Sequence, residues 1–254
     1  MSAQPFCHFE RERGQKMIDI HSHILPEMDD GSKSVEESKK MLDSFWEQGV
    51  EAVVATPHFY IGETSVEDFL KKRENCKEKL ILALGDEERP GIALGAEVQF
   101  FPELYSMDRA EDLCISGTGY MLVEMPFDEW NKYTYVTLEK LYTAKGITPI
   151  IAHVERYLDF QKDSDIEIVK RLKEVHALIQ MNTSFLISGK TRRKALNLVK
   201  KGLVNFLGTD AHNTESRPPE LRVGFDEIYK KLGDAGIDAL AYWGEKLMNK
   251  MTTI

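Results

Sequence analysis

The sequence predicts a single α/β domain whose seven parallel strands close into a barrel. Seven short apolar runs lie along the 254 residues, separated by amphipathic helices or long connections. These runs lack a clean alternation of apolar and polar residues, which is typical of parallel strands covered on both faces. Seven such units suit a closed barrel. An open doubly wound sheet is the alternative, but its first strand is normally followed by a glycine-rich phosphate loop, and here the sequence continues with His-Ser-His.

The first half of the chain supplies four of these strands and two helices. Ile18 and Ile20 mark the first strand, and a helix is expected over residues 34–49. Ser34 is a suitable N-cap for it, Glu37 follows three residues later, and Gly49 is a typical stop. The remaining elements of this half are, in order, a strand at 52–55, a long amphipathic helix at 65–85, and strands at 92–96 and 120–123.

The second half alternates more regularly between helix and strand. A helix at 131–146 ends in glycine and precedes a strand at 148–152. The elements that follow are a helix at 166–175, a strand at 177–181, a basic-faced helix at 188–202, a strand at 204–208, and two closing helices at 219–232 and 237–250.

Composition bounds the class of protein. With 42% hydrophobic and 30% charged residues, the chain is an ordinary globular protein. A formal net charge of −9 argues against a nucleic-acid partner, which requires a basic surface. No apolar run approaches the roughly 18 to 20 residues of a membrane span, so no membrane insertion is expected. The three cysteines are widely spaced and typical of a reducing compartment, which predicts a cytoplasmic protein.

Residues 1–16 are polar and irregular, and they lack the apolar segment of a secretory signal. We interpret them as a flexible extension or a cloning remnant. A single domain is therefore expected to span residues 17–254.

Residues that bind metal ions follow six of the seven predicted strands. Because the carboxyl ends of barrel strands converge at one face, where active sites lie, we expect these side chains to meet. Each one alone has a simpler explanation, such as helix capping for Glu124 or a core hydrogen bond for His153. The sixth strand ends differently, in Met181-Asn182-Thr183. The residues are, in chain order, His21, His23, His58, Glu97, Glu124, His153, Asp210 and His212.

The type and number of these side chains predict a cluster of ions. His21 and His23 point to the same face of an extended strand, and Asp29 and Asp30 follow within reach. Histidines and carboxylates without cysteine suit divalent ions such as Mn, Fe or Zn. One ion takes about four to six ligands, and this set offers about nine, so two or three ions are expected, with Glu97 bridging. His8 and His176 lie outside the pattern.

Together these residues resemble the polymerase and histidinol phosphatase (PHP) superfamily. A narrower similarity is to CpsB/YwqE-type bacterial metal-dependent protein-tyrosine phosphatases of capsule and exopolysaccharide systems. It rests on MIDIHSH at 17–23, DDG at 29–31, AHVERY at 152–157, DAHN at 210–213 and RPP at 217–219.

The resemblance implies a distorted (β/α)7 barrel with a trinuclear metal site. It also implies manganese as the first choice of ion, with Fe, Co or Zn as alternatives, and a membrane-associated tyrosine autokinase as the substrate. Phosphate-binding arginines fall on Arg156 and Arg217. Contacts in the loop at 59–63 cannot be carried over. The implied metal ligands are His21, His23, Asp30, His58, Glu97, Glu124, His153, Asp210 and His212.

Such a site predicts metal-dependent hydrolysis of a phosphate ester. Two or three dications lower the pKa of bound water to about 7 and stabilise both the attacking and the leaving oxygen. Guanidinium groups bind phosphate oxygens bidentately. The leaving phenolate of phosphotyrosine has a pKa near 10, so a general acid is not obligatory.

Other mechanisms and substrates are open at this stage. Cys7 and Arg13 have the spacing of a cysteine phosphatase loop, but the intervening segment is acidic, lacks glycine and has no strand before it. Cys76 and Cys114 have no matching arginine. A small-molecule phosphatase of the histidinol-phosphate type, a phosphodiesterase and a catalytically weak metal-binding regulator are the alternatives. The complete ligand set argues against the regulator.

Overall fold

The computed structural model describes residues 16–85 and 88–254. Almost all of the predicted extension at residues 1–16, together with His8 and the pair Cys7 and Arg13, lies outside the described residues. Within the described part of the chain, no helix has the length and hydropathy needed to cross a membrane.

Among the described residues, all seven strand pairings are parallel, as predicted. One sheet has the order β1-β2-β4 and the other the order β3-β5-β6-β7-β8-β9. The strands are β1 Met17–Ser22, β2 Val50–Ala55, β3 His58–Phe59, β4 Gly91–Leu94, β5 Glu97–Gln99, β6 Tyr120–Glu124, β7 Thr148–Ile151, β8 Leu178–Asn182 and β9 Phe206–Gly208.

At two of the seven predicted strand positions a short second strand follows the first, and at each of them the chain passes from one sheet to the other. β2 and β3 flank Thr56-Pro57, and β4 and β5 flank Gly95-Ala96. The strand predicted at 92–96 is confirmed at residues 92–94 but ends at Leu94, and Glu97 begins a further strand. The physical reason lies in the buried guanidinium of Arg73, which donates a hydrogen bond to the carbonyl of Gly95 (2.6 Å).

The curled sheets meet where β1 lies beside β9. The amide of His23 donates to the carbonyl of Ala211 (2.8 Å), and the amide of Asp210 donates to the carbonyl of His21 (2.8 Å). A separate apolar cluster fills the interior of the barrel. Its members include Ile18, Ile20, Val54, Leu122, Ile150, Leu178, Phe206 and Leu247.

The helices cover the outside of this arrangement and match most of the predicted spans. They are α1 Val35–Glu47, α2 Val66–Leu84, α3 Lys132–Lys145, α4 Asp165–Glu174, α5 Thr183–Ile187, α6 Arg192–Lys200, α7 Arg222–Leu232 and α8 Asp234–Met248. Ser34 caps α1 as predicted, because its hydroxyl accepts the amide N–H of Glu37 (3.2 Å).

The predicted helix at 188–202 is wrong in its first turn, and the short helix α5 was not predicted. Arg192 donates to the carbonyls of Leu186 (3.2 Å) and Ile187 (2.8 Å), so it satisfies the end of α5. Thr191 donates to the carbonyl of Phe185 (2.7 Å) in the same way. These bonds hold residues 188–191 as a turn, and α6 begins only at Arg192.

Candidate metal centre

The predicted metal-binding side chains meet at the carboxyl ends of the strands. Among the described residues, three groups of ligand atoms lie within 4.8 Å of one another. The groups are His21, His23, Glu97 and Asp210; His23, Asp30, His58 and His212; and His58, Glu97 and Glu124. His23, His58 and Glu97 each belong to two groups, so the three groups form one continuous cluster.

The first group is a closed, buried cage. The Nε2 atoms of His21 and His23 are 3.3 Å apart. Glu97 Oε2 lies 3.1 Å from His21 Nε2 and 3.4 Å from His23 Nε2. Asp210 Oδ1 lies 3.4 Å from both nitrogens. Four ligands placed tetrahedrally about 2.1 Å from an ion are about 3.4 Å from one another, so these spacings fit one divalent ion.

The second group lies closer to solvent. Asp30 Oδ1 is 3.5 Å from His58 Nε2 and 3.3 Å from His212 Nε2. The side chain of Asp30 is 64% exposed, whereas that of His212 is 3% exposed. This group therefore forms the outer edge of the cluster, as a site that exchanges ligands with solvent requires.

Glu97 lies at the junction of the groups, as the predicted bridging carboxylate would. Its Oε2 atom lies 3.1 Å from His58 Nδ1 as well as facing the first cage. Its Oε1 atom lies 2.7 Å from His153 Nε2. His153 belongs to none of the three tight groups, but this contact places it against the second oxygen of Glu97, and its ring centroid lies 5.4 Å from that of His21.

Unpartnered polar atoms in the cluster also fit bound cations. Within the described residues, four buried atoms there make no hydrogen bond of acceptable geometry, namely His58 Nδ1, Glu97 Oε2, His153 Nδ1 and His212 Nε2. A buried polar atom without a partner costs about 1–3 kcal/mol. Their concentration at one place is expected where ions complete the coordination.

Several of these side chains, though not His21 and His23, are in the charge states that metal binding needs. Burial opposes ionisation, yet His21 and its neighbouring imidazoles hold the pKa of Glu97 and of Asp210 well below the ordinary range. Burial and the charge of His23 lower the pKa of His212 to about 4. Burial likewise lowers the pKa of His58. Ionised carboxylates and neutral imidazoles are the forms that bind metal ions.

Glu124 differs from the other carboxylates. Burial and the nearby charge of Glu97 raise its pKa to about 7. For His21 and His23, burial lowers the pKa, but the surrounding carboxylates outweigh it, and the pKa of both imidazoles is raised. Negative charge is thus concentrated around this pair, which favours a dication.

Asp29 orients His23 and is not in any ligand group. Its Oδ2 lies 2.6 Å from His23 Nδ1 and accepts the amide of His58 (3.0 Å). A hydrogen bond at Nδ1 leaves Nε2 with its lone pair facing the cage. Gly31 packs directly on the histidine, since a Cβ there would come within 2.4 Å of His23 Cβ. The Asp-Asp-Gly segment therefore supplies one orienting residue, one candidate ligand and one close contact.

The sixth strand position contributes residues that the sequence did not reveal. Gln180 Oε1 lies 3.2 Å from His21 Nδ1 and accepts the amide of His153 (2.6 Å). Its Nε2 donates to Asn182 Oδ1 (2.8 Å), and Asn182 Nδ2 donates to Asp210 Oδ2 (3.2 Å). This series of hydrogen bonds orients three candidate ligands, His21, His153 and Asp210. Its only signal in the sequence is two amide side chains at i and i+2 on one strand face.

Both predicted arginines reach the cluster. The guanidinium groups of Arg156 and Arg217 pair with the same atom, Asp210 Oδ2, and the distance for Arg217 is 2.5 Å. Each of these side chains is 37% exposed. They therefore present positive charge between the buried ligands and solvent.

Neither described cysteine takes part in this site. Cys76 and Cys114 are buried and form no disulfide. Burial and the charge of Glu111 raise the pKa of the Cys114 thiol to about 12, so it is protonated near neutral pH.

Comparison with known proteins gives one consistent family. The sequence profile of the family described as capsular polysaccharide synthesis, CpsB/CapC, matches residues 17–248. The tyrosine-protein phosphatase CpsB of Streptococcus pneumoniae is 32% identical over 232 residues, covering 85% of this chain and 91% of the relative. The tyrosine-protein phosphatase YwqE of Bacillus subtilis is 32% identical over 206 residues, covering 79% of each chain.

Solved structures agree with this. A structure of YwqE from Bacillus subtilis and CpsB from Streptococcus pneumoniae, described as unique metal-dependent tyrosine phosphatases, superposes with a TM-score of 0.75 at 28% identity, covering 94% of this chain and 96% of that one. A histidinol phosphate phosphatase from Lactococcus lactis shares the fold, with a TM-score of 0.55 at 14% identity and coverage of 87% and 94%. The predicted family and the parallel, barrel-like fold are confirmed. The chain belongs to the CpsB/CapC family.

Proposed function

We propose that this protein hydrolyses phosphotyrosine in proteins with the help of bound divalent ions. The observation that carries the proposal is the cluster of three overlapping ligand groups with two guanidinium groups at its edge. The activity named for the CpsB and YwqE relatives supports the same substrate.

We assign three ions to the cluster. The cage of His21, His23, Glu97 and Asp210 would hold one ion, and Asp30, His58 and His212 would hold a second. Glu97 and Glu124, with His58 or His153, would hold a third. The ligand-atom spacings and the shared position of Glu97 support this division.

The bound ions and the residues around them would have separate roles in the reaction. Divalent ions at such a site make a nucleophile available from water near neutral pH and neutralise charge on a phosphoryl group. Arg156 and Arg217 bind the oxygens of the dianionic ester, because guanidinium groups match phosphate bidentately. Asp29 and Gln180 keep the imidazoles of His21 and His23 oriented. The phenolate leaves without an obligatory acid, since the pKa of a tyrosine hydroxyl is about 10.

Manganese is the proposed native ion, since a set of nitrogen and oxygen ligands without sulfur suits it. The proposed setting is the cytoplasm, on the basis of the cysteine content. A tyrosine autokinase associated with the membrane is the proposed substrate protein. The description of the family as capsular polysaccharide synthesis supports a role in that pathway.

The decisive experiment compares three substrates on metal-loaded protein: a phosphotyrosine peptide, the phosphoserine peptide of the same sequence, and histidinol phosphate. We expect the highest kcat/KM for the first. Preference for histidinol phosphate would contradict the substrate assignment. Absence of turnover with Mn, Fe, Co and Zn would contradict an enzymatic function and favour a metal-binding regulator.

A matched pair of histidine variants tests the role of the metal. His21→Ala removes a ligand from the buried cage, so activity and metal content are expected to fall together. His176→Ala is the control, because this exposed imidazole stacks on Tyr142, with ring centroids 4.1 Å apart, and lies outside the ligand groups. Chelation should abolish turnover of both the wild type and the control.

A further inference from the structure

A cavity of about 510 Å³ opens beside the metal centre on the side of Glu124. Its walls combine the apolar side chains of Phe100, Met125 and Phe127 with the polar side chains of Glu63 and Gln99, and the ring of Tyr60 lies between the cavity and His58. Glu124 forms part of the same lining and belongs to one of the ligand groups. The cavity is therefore continuous with the metal centre.

Phe127 is the unusual residue of this wall. Its side chain is 49% exposed, although its ring lies only 5.1 Å from that of the fully buried Tyr157. An exposed aromatic side chain that lines a cavity beside the metal centre offers apolar contact area to a ligand bound there. The neighbouring rings of Tyr60 and Phe127 suit a planar aromatic ligand, which packs on such rings in offset or edge-to-face geometry.

We propose that this cavity receives the aryl ring of phosphotyrosine and that Phe127 determines specificity for it. The inference rests on the proposed phosphatase function. A phosphate bound beside Glu124 leaves its ester oxygen at the inner end of the cavity. A tyrosine ring attached there extends along the apolar wall toward Phe127, whereas a serine side chain has no ring to bury against it.

A second cavity of about 360 Å³ shares Tyr60 but suits an aryl ring less well. Its apolar members, Met28 and Phe69, are core residues that are only 5% and 3% exposed. The carboxylates of Asp29 and Asp30 line the same space. The exposed ring of Phe127 lines the first cavity and not the second, which favours the first cavity for an aryl ring.

The test measures binding of two inert phosphonates to the metal-loaded full-length protein by calorimetry. Phenylphosphonate carries the ring and methylphosphonate does not. We expect Phe127→Ala to weaken phenylphosphonate binding about five- to tenfold, the size of one aromatic contact, and to leave methylphosphonate binding unchanged. The kcat/KM for an aryl phosphate should fall by the same factor. Phe127→Leu, which keeps an apolar wall, should lose less.

Phe160→Ala is the matched control. This aromatic side chain is 47% exposed and lies 6.0 Å from Phe127, but it does not line the cavity. It should bind both phosphonates like the wild type. If Phe127→Ala weakened the binding of phenylphosphonate and of methylphosphonate equally, the inference would be overturned. The inference would also be overturned if Thr64→Trp, which places a large side chain in the second cavity, weakened phenylphosphonate binding while Phe127→Ala did not.

The same measurements separate this inference from the proposed function. Wild-type protein that turns over no aryl phosphate would contradict the phosphatase proposal itself. An active enzyme that binds phenylphosphonate no better than methylphosphonate would overturn only the assignment of the aryl cavity.

Discussion

Removal of one arginine at Asp210 should weaken phosphate binding without releasing metal. The two oxygens of Asp210 have separate tasks. Oδ1 lies 3.4 Å from the Nε2 atoms of both His21 and His23, and Oδ2 pairs with Arg156 and Arg217. An arginine variant therefore leaves the oxygen that faces the cage undisturbed.

The size of the effect follows from the exposure of the pair. A hydrogen bond to a charged group contributes about 1.5–3 kcal/mol. Each guanidinium is 37% exposed, so solvent screening favours the low end of that range. Arg156→Ala should then raise KM about tenfold, because about 1.4 kcal/mol corresponds to a factor of ten. The double variant that also carries Arg217→Ala should raise KM by a factor approaching one hundred.

The assay combines steady-state kinetics on an aryl phosphate with metal analysis of the same sample. Arg156→Lys keeps the charge but loses the planar fork, so it should recover only part of the lost affinity. Arg193→Ala removes an exposed arginine outside the cluster and should behave like the wild type. If Arg156→Ala loses metal in proportion to activity, the guanidinium is structural and the reasoning fails.

Three further predictions concern residues around the cluster. Asp29→Ala frees the Nδ1 atom of His23, so metal affinity measured by calorimetry should fall about 10- to 100-fold; unchanged affinity would exclude an orienting role. Gln180→Leu removes the amide that holds two imidazole-bearing residues, and activity should fall by a similar factor while the circular dichroism spectrum stays native; wild-type kinetics would show that the amide is dispensable. Cys76→Ala and Cys114→Ala should keep activity within about twofold, since neither thiol faces the site; a large loss in either one would reopen the cysteine mechanism.

Most of the candidate ligands could be predicted because this fold brings the ends of strands that are distant in sequence together at one face. Residues that follow successive parallel strands are brought to one face whatever the strand lengths. The positions of His21, His58 and Asp210 therefore required only that each strand be recognised. Errors of a residue or two did not matter, and Glu97 reaches the cluster although it begins β5 instead of ending a longer strand.

The orienting residues could not be predicted in the same way, because their roles depend on side-chain partners distant in sequence. Gln180 contacts His21 across 159 positions, and Asn182 reaches Asp210 across 28. Neither amide is a typical metal ligand, so nothing local distinguishes it from a core residue. The break before α6 has the same origin, since the carbonyls that Arg192 satisfies become apparent only when the turn has formed.

The contacts between β1 and the segment after β9 also assemble the cage. Asp19 lies two residues before His21 on the same strand face and is fully buried. Its carboxylate accepts the amide of His21 (3.0 Å) and the hydroxyl of Thr209 (2.5 Å), which joins β1 to the segment after β9. The amide of Asp210 then donates to the carbonyl of His21. Because the first strand and the segment after the last strand each supply ligands to one candidate cage, a bound ion would favour the contact between them, and that contact sets the ligand spacing. The His-x-His pair is thus part of the closure of the fold as well as of the site.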